Sequence, residues 1–114
     1  MERIYKRNEA KSLAFTTLAT TGVAFECSQA DEKTVFVAKN SDTSNAGTIT
    51  VVKGNGLQGV ADIEISVPKS GEVIFTLDSM FFKNASGTLN ETDLKGKIVL
   101  KGATTLSVAV IALP

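Results

Sequence analysis

Histidine and tryptophan are absent from this chain of 114 residues, and cysteine and tyrosine occur once each. Without histidine the commonest general base and metal ligand are gone, which argues against an enzyme. The single cysteine, Cys27, cannot close an internal disulfide and has no histidine to activate it, so it reads as a small buried hydrophobe. The fold must then stand on packing alone. Charge of one sign is missing as well, because 12 Lys and Arg balance 12 Asp and Glu. No long-range field draws in a phosphate backbone, so no nucleic-acid partner is expected. No apolar run approaches the roughly 20 residues that span a bilayer, and no membrane partner is expected either. The amino end is charged and has no continuous apolar h-region, so we expect no signal peptide and a protein that works where it is made or is carried away as part of something larger.

What is present is strand chemistry. The stretch from Thr48 to Asp78 holds three runs rich in β-branched residues, separated by Gly, Pro, Asn and Ser. They read as consecutive antiparallel strands. In the second run Ile63, Ile65 and Val67 share one face while Asp62, Glu64 and Ser66 share the other, the period of a half-buried strand. Thr34 to Lys39 is apolar on both faces and reads as a central strand. Val23 to Cys27, Lys97 to Lys101 and Leu106 to Leu113 complete the set, and the threonines between Thr16 and Thr21 favour extended structure. Seven to eight short strands at this spacing predict an all-β fold, a single antiparallel β-sandwich or small barrel. We expect a core of Val35, Val37, Ile49, Val51, Ile63, Ile65, Val73, Phe75, Leu77, Ile98, Leu100, Val108 and Val110. The domain spans 13–114, and residues 1–12, too polar to own a core, form an amino-terminal arm.

Motifs that suggest chemistry have plainer explanations. Gly54-Asn55-Gly56-Leu57-Gln58-Gly59 fits a dinucleotide-binding pattern, but a strand follows it where the fingerprint needs a helix. It reads as a hairpin turn in which glycine and Asn55 supply positive φ. Asn84-Ala85-Ser86 and Asn90-Glu91-Thr92 fit the glycosylation acceptor pattern and read as loop composition. Asp31-Glu32, Asp62 with Glu64, and Glu91 with Asp93 lack the dense oxygen ligands of a calcium loop. No catalytic residue, metal site or cofactor is expected. Of Phe81 and Phe82, at least one belongs to the core.

A resemblance adds what the residues alone do not. The strand Gly47-Thr48-Ile49-Thr50-Val51 followed by Gly54 to Asp62, the later Leu77-Asp78-Ser79, Phe82-Lys83 and Ser86-Gly87, and the ending Lys95 to Pro114 resemble small head decoration proteins of tailed bacteriophages. The likeness runs from about Ala38 to Pro114. It implies an immunoglobulin-like or related β-sandwich, without catalytic residues, that binds the outside of an assembled capsid. The partners it implies are the major capsid protein and neighbouring copies of the chain, and the location is the virion surface after synthesis in the bacterial cytoplasm. Under that reading the arm is a partner-binding segment. Ile4 and Tyr5 would bury against the capsid or another copy, with Arg3 or Arg7 paired to carboxylates. The competing readings are a phage tail or baseplate subunit and a carbohydrate-binding β-sandwich module. The last is weakened by the lack of Trp and by Tyr5 being the sole Tyr.

Overall fold

Eleven strands appear in the computed structural model, which describes residues 2–3, 8, 10–27, 33–55, 61–78, 82–89 and 91–113. They are β1 (Glu2–Arg3), β2 (Thr16–Thr17), β3 (Val23–Glu26), β4 (Thr34–Asn40), β5 (Gly47–Val51), β6 (Ile63–Val67), β7 (Glu72–Phe75), β8 (Thr88–Leu89), β9 (Thr92–Asp93), β10 (Lys97–Lys101) and β11 (Leu106–Ala112). The first sheet runs β1-β11-β4-β7, with β2 also on β11, and the second runs β3-β10-β5-β6. Residues β8 and β9 form a separate two-stranded hairpin.

Every pairing in the two main sheets is antiparallel except that of β1 with β11. Setting aside β1 and the β8–β9 hairpin, eight strands remain, and their pairing is nested. The first (β2) pairs with the last (β11), β3 with β10, β4 with β7, and β5 with β6. This is one long hairpin rolled so that its paired strands alternate between two sheets, with β11 beside β4 and β10 beside β5 closing each sheet. A single antiparallel sandwich is thus present as expected. Of the immunoglobulin-like or related forms, the strand order is that of the related jelly roll.

The roll corrects one local expectation. β5 and β6 pair as a hairpin, but the third run of the Thr48–Asp78 stretch, β7, leaves for the opposite sheet and pairs with β4. The change of sheet is made at Pro68–Gly71. There Ser70 takes φ 50°, Gly71 donates to the Pro68 carbonyl, and Ser70 donates to the Asp42 carbonyl across the sandwich edge.

The inner faces meet in one core that includes Leu18, Phe25, Cys27, Phe36, Ala38, Ile49, Val51, Val67, Leu77, Phe82, Ile98, Leu100, Leu106, Val108 and Val110. Ile65, Val73 and Phe75 pack partly buried against it. Cys27 is buried in this core, and so is Phe82. Two expectations fail. In β4 it is Phe36 and Ala38 that face inward, opposite Val110 and Val108 of β11; on the other face Val35 is only half-buried, while Val37 is buried as expected, though outside this cluster. The strand is apolar on both faces, so its own sequence casts no vote, and the stack of Phe36 on Phe75 (5.1 Å, 7° between planes) helps hold the register. Ile63, the first residue of the edge strand β6, is 40% exposed rather than buried.

Buried polar groups are few and partnered. Asn40, 4% exposed, donates to the carbonyls of Asn45 and Val67 and accepts from the Asp42 amide, tying the 41–46 loop to both sheets. No buried side-chain nitrogen or oxygen among the described residues lacks a partner, as burial without a hydrogen bond would cost about 1–3 kcal/mol each.

Candidate functional site

Of the four residues proposed for partner binding, only the backbone of Arg3 is placed. It pairs in parallel with Ala112 of β11, as Glu2 does with Ile111. Ile4, Tyr5 and Arg7 lie outside the described residues. Just before β2 the Phe15 ring lies 4.1 Å beneath the Lys39 ammonium, a cation–π contact to β4. Both β1 and β2 therefore lie along the same edge of β11.

The turn after β5 is built differently from the expected hairpin. Gly54 and Asn55 are not among the positive-φ residues. Gly54 is required by space: a Cβ there would collide with the Lys83 carbonyl oxygen, which is backbone and cannot swing away. Asn55 is a stitch. Its Oδ1 accepts from the amides of Ala85 and Ser86, and its Nδ2 donates to the Ser86 carbonyl. Residues 56–60, the rest of the Gly-rich stretch, lie outside the described residues.

The remaining motifs resolve into scaffolding. Asn84 of the first glycosylation pattern is 7% exposed and donates its amide to the Lys97 carbonyl, so no glycan reaches its nitrogen. Asn90 of the second lies outside the described residues. Asp62 accepts from the Lys53 amide and Asp93 from the Lys95 amide. Asp42 accepts from the amides of Ser44 and Asn45, and these bonds hold its carboxyl below its ordinary value. Among the described residues no three of His, Cys, Asp or Glu come close enough to share a metal ion.

One concavity stands beside the β8–β9 hairpin. It is a cleft of about 230 Å³ lined by Gly22, Val23, Ala24, Leu89 and Thr92. Its walls bring one hydroxyl and no titratable side chain, so they offer shape and little chemistry. Comparison with protein-family models, curated proteins and solved structures finds no match.

The surface feature that sequence reasoning passed over is Ile74. It is 72% exposed, on the free side of β7. The signal was present, since placing Val73 and Phe75 inward by alternation necessarily turns Ile74 outward. In the register it stands beside Val37, which stands beside Ala109; both of these are buried, so Ile74 is the exposed end of that row.

Proposed function

We propose that this protein is a structural subunit of a tailed phage that binds the outer surface of the assembled head and stabilises it, as a head decoration protein does. The observation that carries the reading is the jelly-roll order of the eight sandwich strands. That architecture serves viral capsid domains, lectin domains and cupins, and fold alone does not choose among them. Composition favours the first. A chain without histidine is poorly equipped for imidazole-ligated metal chemistry, and one without tryptophan, with Tyr5 as its sole tyrosine, is poorly equipped to stack sugars. The likeness of the 47–62 and 95–114 stretches to head decoration proteins points the same way.

On this reading the partners are the major capsid protein and neighbouring copies, and the contacts come from Arg3, Ile4, Tyr5 and Arg7. Co-sedimentation with purified heads, purified tails and unassembled capsid protein tests it. Saturable binding to heads alone supports the reading. Binding to tails instead, or to none of the three, refutes it. Deleting residues 2–11 should then lower head occupancy, and occupancy equal to the full chain's would remove the arm from the interface.

A further inference from the structure

The two edges of the first sheet are treated unequally. Along β11 the edge is covered by β1 and β2, whereas β7 has, among the described residues, a partner on one side only, β4. Proteins blunt bare edges with lysine, proline, bulges or inward charges. The other sheet's edge strand β6 is guarded in this way, by Glu64 within it and by Asp62 and Pro68 at its ends. β7 carries a charge only at its first position, Glu72, has neither lysine nor proline, pairs with β4 over four consecutive positions without a bulge, and presents Ile74.

Its free hydrogen-bonding groups can be assigned. The Asn40 amide donates to the Gly71 carbonyl at 3.0 Å, one step beyond the Lys39–Glu72 pair. Hydrogen-bonded pairs alternate along an antiparallel ladder. Val73 and Phe75 therefore turn their N–H and C=O groups to β4, and Glu72 and Ile74 turn theirs to the open edge.

We propose that two copies of this chain associate through β7, antiparallel about a two-fold axis at Ile74, so that the two first sheets become one. In this register Ile74 exchanges both backbone hydrogen bonds with Ile74 of the second copy, and Glu72 falls opposite Thr76. No carboxylate meets a carboxylate. A shift of two residues one way sets Glu72 against Asp78, and the other way sets Ile74 against Glu72. A shift of one residue opposes an inward side chain to an outward one. Charge and burial thus select one self-complementary register, the condition for a closed dimer. Ile74, the exposed end of the row Ala109–Val37–Ile74, then meets Ile74 of the second copy. The inference goes beyond capsid binding and does not depend on it.

Light scattering coupled to gel filtration should find a mass that doubles with concentration in the sub-millimolar range. Ile74→Lys should abolish the dimer and leave the melting temperature of the monomer unchanged. Under mild oxidation Ile74→Cys should give a disulfide dimer, since a hydrogen-bonded antiparallel pair has its Cα atoms about 5.5 Å apart, within disulfide reach. Glu72→Cys and Thr76→Cys should each form no disulfide alone and cross-link when mixed, while the buried Cys27 stays silent. A wild-type chain monomeric throughout that range, a dimer that survives Ile74→Lys, or cross-linking at Glu72→Cys as fast as at Ile74→Cys overturns the proposal.

Discussion

Replacing Phe36 by alanine probes the register on which the sandwich is built. Phe36 is 1% exposed, lies opposite Val110 in the ladder and stacks on Phe75. Removing a buried phenyl ring loses its transfer energy and leaves a cavity that the surrounding strands fill only in part, for a cost of about 3–5 kcal/mol. A domain of 114 residues has a total stability of about 6–17 kcal/mol at 0.05–0.15 kcal/mol per residue. The variant should therefore fold with a sharply lowered urea midpoint and an unchanged slope, because the surface exposed on unfolding barely changes. Val35→Ala, on the outer face of the same strand and half-buried, should cost about 1 kcal/mol or less. A double-mutant cycle with Phe75→Ala should return a coupling of about 0.5–1.5 kcal/mol from the aromatic pair. If Val35→Ala proved as costly as Phe36→Ala, β4 would be turned over and the core as described would be wrong.

Three further outcomes are expected. Gly54→Ala should destabilise by about 1–3 kcal/mol because backbone opposes its Cβ, whereas Gly96→Ala, with open space around it but φ 76°, should cost only about 1–2 kcal/mol of backbone strain; thermal unfolding of the two ranks them. Asn55→Ala should speed amide exchange at Ala85 and Ser86, with a global loss of about 1 kcal/mol by urea titration; unchanged exchange would mean that the stitch holds nothing. Asp42, whose backbone hydrogen bonds lower its pKa below 3.8, stabilises the fold above that value, and the contribution is lost as pH falls through the lowered one. Asp42→Asn should therefore flatten the acid limb of the stability–pH curve, and a curve parallel to wild type would refute the assignment.

Strands with a polar face were legible from alternation. Ile65 and Val67 turn inward in β6 and Glu64 and Ser66 outward, as the sequence pattern predicts. Strands apolar on both faces were not, and β4 is the case in point, since only its long-range partners β11 and β7 decide which of Val35 and Phe36 is inside. Leu18 and Leu106 escaped the expected core for a related reason. They meet across the β2–β11 edge, where the Leu18 amide donates to the Leu106 carbonyl; no local period marks Leu18, whereas Leu106 shares by alternation the face of Val108 and Val110 and could have been read. Pro68 to Gly71 announced a turn but not its destination, because a hairpin and a change of sheet draw on the same residues. The Gly-rich stretch is followed by the strand β6, as alternation predicted, yet its glycine at 54 serves close packing against Lys83, which sequence cannot show.

The claim that this jelly roll is a head decoration protein meets its most direct test in cryo-electron microscopy of virions that carry it. The account predicts density for an eight-stranded sandwich on the outer head surface, seated on assembled capsid subunits. Finding the chain only in the tail or baseplate density, or absent from the particle, would contradict it.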